Sequence, residues 1–190
     1  MHAKFVLYAE NQLLEDVLSE VVLPEGITIR AVDFGTDLKR ISRLVQDRDL
    51  DTMIPAYGMS PADVPGEICL VAERDGDLVG QISCTVEALG SVQTNIDLWV
   101  TGVFVTGPER GHGISGALGA AAVALCECWR RQTAAGLGRG PMGVISVSAD
   151  TLPGSKGEAV IERMVLRCEA LEEQATEEAD LRAVPKPDCF

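Results

Sequence analysis

Hydrophobic positions along the chain switch between two periods, and the switches mark out the elements. Ile27-Thr28-Ile29-Arg30-Ala31-Val32 sets most of its apolar side chains at alternate positions, as a half-buried strand does. Leu38, Ile41, Leu44 and Val45 then recur every three or four residues, which predicts a helix. Ile68 to Glu73 and Leu78 to Ser83 are two apolar runs joined by Asp75-Gly76-Asp77. The Asp-Gly dipeptide accepts left-handed turn conformations, so the pair predicts a β-hairpin. A further strand is predicted from Ile96 to Val105, and a strand over Val144-Ile145-Ser146-Val147-Ser148 after a glycine-rich loop at 136–143. Between them, Gly113 to Arg131 is alanine-rich and apolar nearly all round, the pattern of a buried helix. Ser155-Lys156-Gly157-Glu158 is a capping box, opening a helix with Ile161, Met164, Val165, Cys168, Leu171 and Ala175 along one stripe.

The flanks are less regular. Phe5-Val6-Leu7-Tyr8 predicts a short strand, and Asn11 an N-cap for a helix carrying Leu13, Leu14, Val17, Leu18, Val21 and Val22, stopped by Pro24 and Gly26. Asp47 to Pro65, interrupted by Pro55, Gly58 and Pro61, is expected to be irregular surface. The order of strand, helix, three strands, helix, strand, helix in 190 residues makes one α/β domain over 25–178. Residues 1–24 form an N-terminal extension and 179–190, with two prolines, a C-terminal tail. No internal repeat and no low-complexity segment interrupts this order.

Composition narrows the partners. Sixteen Lys and Arg against 29 Asp and Glu give a net charge of −13, which supplies no basic face for nucleic acid or for an anionic membrane surface and suits cationic small molecules. No apolar run approaches the roughly 20 residues that cross a bilayer, and the N-terminus lacks a signal-peptide layout, so a soluble cytoplasmic protein is expected. The six cysteines do not change this. Cys69 and Cys84 lie in strands, Cys126, Cys128 and Cys168 on helices, and Cys189 in the tail. Cys126 and Cys128 point about 200° apart on a helix, which suits neither a disulfide nor a metal. They are read as small buried hydrophobes, and no metal site is expected.

The informative segment is Val103-Phe104-Val105 followed by Arg110-Gly111-His112-Gly113-Ile114-Ser115-Gly116. A strand feeds a glycine-rich turn that opens a helix, where unpaired N–H groups and the helix dipole favour a phosphate or pyrophosphate. Gly111-x-Gly113-x-x-Gly116 also matches the dinucleotide-binding pattern. There, however, the first glycine follows its strand almost at once and an acidic residue ends the next strand about 20 residues on, which this chain does not reproduce. A Walker loop is excluded because no Gly-Lys-Ser/Thr occurs.

Arg110-Gly-His-Gly113-Ile-Ser115 resembles the Arg/Gln-x-x-Gly-x-Gly/Ala signature of the GCN5-related N-acetyltransferase (GNAT) superfamily. Ile27 to Leu44 is similar to that family's first strand and helix, and Leu70 to Gly80 to its central hairpin, so the resemblance covers roughly 26–150. It implies a GNAT-like mixed sheet with flanking helices, the closing C-terminal strands truncated or replaced. It also implies acetyl-CoA as cosubstrate. The backbone of Val103, Phe104 and Val105 would pair with the pantetheine arm. Gly111, His112, Gly113, Ile114, Ser115 and Gly116 would cradle the pyrophosphate, with Arg110 at the entry. Ser115 stands where Gly or Ala is usual, and His112 at a variable position, read as solvent-facing.

Transfer to an amine needs a neutral nitrogen, a polarised carbonyl and a proton for the leaving thiolate. By the same resemblance Asp97 occupies the place of a catalytic carboxylate, with Glu87 on the preceding strand a second candidate. The bland alternative is that Asp97 is an exposed strand-start residue. The pattern fails elsewhere: beyond position 95 there is no Asn and no Tyr, and Tyr is the family's usual acid toward the thiolate. Ser148 and Asp150 are the only polar groups near that place. The expectation is an acyl-CoA-dependent N-acyltransferase acting on a small-molecule or peptide amine. The alternative is a catalytically lapsed GNAT-fold protein serving in a larger assembly. The two apolar flanks, 1–24 and 155–175, are expected to pack on the domain or on a second copy, in a homo-oligomer or assembly component.

Overall fold

A computed structural model describes residues 11–33, 35–46, 67–89, 95–136, 143–151 and 154–183. The strand expected at Phe5–Tyr8, the irregular stretch at 47–65, most of the glycine-rich loop at 136–143 and Cys189 lie outside the described residues. The elements run α1 (Asn11–Leu18), β1 (Ile27–Ala31), α2 (Leu38–Gln46), β2 (Glu67–Arg74), β3 (Asp77–Leu89), β4 (Asn95–Val105), α3 (Ile114–Gly136), β5 (Ile145–Ser148) and α4 (Lys156–Ala183). They form one five-stranded sheet in sequential order, antiparallel from β1 to β4 and parallel between β4 and β5.

The two-residue period of the strands sorts side chains onto two faces. One face carries Ile27, Ile29, Ile68, Leu70, Ile82, Cys84, Val86, Ile96, Leu98, Val100 and Ile145, all buried in the main core. α3 lies against it, as its alanine-rich surface predicts, and α4 packs on α3 through Val160, Met164 and Cys168. The approach is close: a Cβ on Gly119 would stand 2.9 Å from Met164 Cγ, so glycine is what lets the two helices touch. α1 adds Leu14 and Val17 to the same core, and Val21 follows it. The described apolar residues of both flanks, Leu14, Val17 and Val21 in one and Val160, Met164 and Cys168 in the other, therefore pack on the domain's own core. α4 continues to Ala183, past the boundary drawn at 178.

The opposite face is only partly covered. α2 lies over the hairpin end, where Val32, Ile41, Val71 and Leu78 form a small second core. Beside it sits an ionic cluster. Arg30 donates to Asp37 (Nη2 to Oδ1, 2.9 Å) and Glu73 (2.7 Å), while Arg40 reaches the same two carboxylates at 3.3 and 3.2 Å and the carbonyl of Gly76. Asp37 is fully buried, and its carboxyl is held below the usual range chiefly by the hydrogen bond from Arg30, against the opposing effect of burial. The cluster ties β1, α2 and the β2–β3 turn together. That turn has Asp75 and Gly76 at φ of 52° and 85°, the left-handed pair a two-residue hairpin demands.

The capping box is also present: the Glu158 N–H donates to Ser155 Oγ at 3.1 Å. The Glu158 carboxylate reaches back to the Gly154 N–H rather than to that of Ser155. Among the described residues, no helix is long and apolar enough to cross a membrane.

Candidate functional site

β4 is paired on both sides only over its first half. Ile96 to Trp99 run beside Ile145 to Ser148, and β5 then ends, so among the described residues Val100 to Val105 keep β3 alone as a neighbouring strand. At that point β4 also carries a bulge: Ser83 faces Gly102 and Cys84 faces Val100, leaving Thr101 without a register partner. Thr101 Oγ1 donates to the carbonyl of Ser83 at 3.0 Å, which pins the bulge. The sheet is thereby opened along one edge of Val103, Phe104 and Val105, all half-buried.

The opened strand leads through a short 3-10 turn, Gly107–Glu109, into the glycine loop. Gly111 and Gly113 have φ of 87° and 82°, so both positions call for glycine on conformational grounds. A Cβ on Gly111 would meet nothing within 4 Å, and one on Gly113 only Pro24 at 3.8 Å. The space before the loop is open. The first intrahelical bond of α3 runs from the Ala117 N–H to the Gly113 carbonyl at 3.0 Å, which leaves the N–H groups of Ile114, Ser115 and Gly116 without an intrahelical acceptor. Gly80 seats this helix end on the sheet, because a Cβ there would stand 3.1 Å from Ile114 Cγ2 and 3.2 Å from the Phe104 carbonyl.

Charge around the loop is mixed. Arg110 Nε donates to the Val105 carbonyl at 3.0 Å, its guanidinium otherwise at the surface. His112 is exposed, with Nδ1 3.6 Å from Glu109, which itself pairs with Arg74 at 3.2 Å. Sequence reasoning missed one cation. Arg163 of α4 brings Nη1 to 3.6 Å from where a Gly116 Cβ would be. It makes no ion pair among the described residues. Only the packing of α4 on α3 brings residues 116 and 163 together, so no linear pattern signals it.

Asp97 and Glu87 lie directly opposite one another on β4 and β3, on the face away from α3. Asp97 Oδ1 accepts from Ser146 Oγ at 2.8 Å, and Ser146 also reaches the Ile96 carbonyl at 3.2 Å. Trp99, two residues along, is 38% exposed and is flanked in register by Thr85 and Ser148. Ser148 is half-buried at the end of β5 and Asp150 is exposed. None of the described cysteines is in a disulfide; burial pushes the Cys84 and Cys126 thiols up, and that of Cys168 up to about 12, which keeps these three in the thiol form at neutral pH. Among the described residues no cluster of His, Cys, Asp and Glu has the grouping of a metal site.

The fold and site together are those of a mixed α/β sheet, opened beside its fourth strand and followed by a glycine turn into a buried helix. No protein-family model and no curated protein matches the sequence. Solved structures do show similarity. The chain is similar to AAC(6')-Iy in complex with a bisubstrate analogue, CoA-S-monomethyl-acetylneamine, at 16% identity over 73% of this chain and 88% of that one, with a TM-score of 0.46. It is similar to the ribosomal-protein-alanine N-acetyltransferase of Brucella melitensis (18% identity, 73% and 89% covered, TM-score 0.48). It is also similar to the glucosamine-6-phosphate N-acetyltransferase of Arabidopsis thaliana (12% identity, 71% and 88% covered, TM-score 0.43).

Proposed function

We infer that the protein is an acyl-CoA-dependent N-acyltransferase transferring an acetyl group to a primary amine. The observation that carries this is the coupling of an opened β4 to a glycine-conformed anion cradle at the start of α3. The N–H groups of Ile114, Ser115 and Gly116, with nothing within 4 Å of a Gly111 Cβ, offer donors and room for a pyrophosphate. Arg110 at the loop's entry and Arg163 beside Gly116 are the cations available to it. The free edge of Val103 to Val105 supplies backbone groups for an extended amide-bearing arm. The bulge at Thr101 places an unpaired backbone position beside the strand's opening, where a carbonyl oxygen would be polarised.

Bound there, acetyl-CoA supplies an activated thioester carbonyl. The amine nitrogen forms the new C–N bond as the C–S bond breaks. Asp97, oriented by Ser146, takes the proton the nitrogen sheds, directly or through water, and the thiolate is protonated from solvent. The absence of Tyr beyond position 95 favours a second reading, a coenzyme-binding protein without turnover.

Free-thiol release over a panel of amines separates the two. The acyltransferase reading expects release with at least one amine, and Asp97→Ala lowering the rate more at neutral pH than at high pH, where the amine is already neutral. An unchanged pH profile removes Asp97 from the mechanism. Coenzyme binding with no release from any amine upholds the second reading.

A further inference from the structure

On the α4 side of the glycine turn, positive charge gathers with no carboxylate paired to it among the described residues. Arg163 is exposed and brings Nη1 to 3.6 Å from where a Gly116 Cβ would stand. It lies beside the end of α3 whose free N–H groups form the positive pole of the helix dipole, where a cation is unfavourable on its own. Its neighbours three and four residues away along α4 are Ala159, Val160, Leu166 and Arg167, so its own helix offers no carboxylate at those spacings. Arg167 instead adds a like charge on the same face of α4, an arrangement that weakens a helix. The Nε of Arg167 is buried and has no hydrogen-bond partner. The cations on the other side of the turn are committed. Arg74 and His112 both reach Glu109, at 3.2 and 3.6 Å, and Arg110 Nε is bonded to the Val105 carbonyl. Arg163 is thus the cation at this helix end whose guanidinium is engaged by neither a carboxylate nor a carbonyl among the described residues.

We propose that Arg163 is a coenzyme-binding residue that closes the cradle from α4, its guanidinium donating to the pyrophosphate that the N–H groups of Ile114, Ser115 and Gly116 also hold. The reach depends on how closely the two helices approach. Gly119 has no Cβ to press on Met164, which would stand 2.9 Å away, and Arg163 immediately precedes Met164. A guanidinium offers phosphate oxygens two parallel N–H donors, a stronger contact than a single backbone N–H. An anion seated there satisfies the free N–H groups and the unpaired arginine together. α4 then becomes part of the ligand site as well as a support for α3. The inference rests on the acyl-CoA reading above for the identity of the ligand.

Calorimetric titration of acetyl-CoA and of 3′-dephospho-CoA into the parent chain, Arg163→Gln and Arg163→Lys tests it. The position is exposed, so circular dichroism should be the same in all three chains. Arg163→Gln should weaken acetyl-CoA about tenfold at low ionic strength, the scale of one hydrogen bond to a charged group. Arg163→Lys, which keeps the charge and loses the fork, should recover part of that loss. 3′-Dephospho-CoA keeps the pyrophosphate and should show the same loss in Arg163→Gln. Equal affinity of the parent and Arg163→Gln for acetyl-CoA overturns the proposal and leaves the acyl-CoA reading standing. A loss seen with acetyl-CoA but absent with 3′-dephospho-CoA also overturns it, because Arg163 would then hold the other phosphate. If the parent binds neither ligand, the proposal and the acyl-CoA reading fall together.

Discussion

Two groups of carboxylates share one face of the sheet and have opposite surroundings. At the hairpin end, Asp37 and Glu73 are locked between Arg30 and Arg40, and Asp37 is wholly buried. At the other end of the sheet, where β4 still runs beside β5, Glu87 and Asp97 face each other; the Ser146 hydroxyl donates to Asp97, and no cation pairs with either carboxylate among the described residues. The chain carries a net charge of −13, and among the described residues the arginines on this face, Arg30 and Arg40, stand at the first group. The first group is architecture, since removing any member strands a charge in a poorly hydrated place. In the second group no cation is matched to either carboxylate among the described residues, so removing one of them strands no opposite charge.

The largest effect that sharpens this contrast is at Asp37. Asp37→Asn leaves Arg30 and Arg40 without their buried partner, and we expect a loss of about 2–3 kcal/mol, below the full cost of a broken buried pair because both arginines are about a third exposed. Denaturant unfolding monitored by circular dichroism measures it. A loss no larger than that of a surface substitution would contradict the assignment.

Acid should reach the same group. The Asp37 and Glu73 carboxyls both lie below their ordinary values, mainly through hydrogen bonds with Arg30. Their contribution is complete above the unfolded-state values, about 4, and is lost as pH falls through the lower folded-state values. Stability should therefore be flat in this respect above about pH 5 and fall below pH 4, more steeply in the parent chain than in Asp37→Asn. Parallel acid limbs in the two proteins would remove Asp37 from the account.

The smallest effect has the opposite sign. Glu87→Gln relieves repulsion with Asp97, and we expect a gain of a few tenths of a kcal/mol in unfolding free energy. A loss instead would show Glu87 to be structural.

Much of the fold is legible in the residues because local periodicity and burial agree. The period-two runs at 27–32 and 68–83, the Asp75-Gly76 turn, and the alanine-rich helix after Gly113 all follow from local physics, and the capping box opens α4 as expected. The glycine loop was legible because positive φ and open space both select for glycine there. What stayed hidden depends on register and packing. The bulge at Thr101 has no signal in the sequence beyond a neighbouring glycine. That Glu87 meets Asp97 across the sheet is fixed only once β3 and β4 are aligned, and the approach of Arg163 to Gly116 requires the helix crossing. The buried Arg130, 2% exposed and bonded to Glu127 and the Gly143 carbonyl, breaks the apolar pattern of α3 and was missed for the same reason.

The most direct test of the central claim, a coenzyme cradle at the start of α3, is calorimetric titration of acetyl-CoA into the parent chain and into Gly113→Asp. The substitution sets a side chain and a negative charge where the pyrophosphate would lie, at a left-handed position that Asp tolerates better than most residues. Saturable binding to the parent, with binding abolished in a variant of unchanged circular dichroism, is the predicted result. Equal binding by the two folded proteins would place the ligand elsewhere and contradict the account.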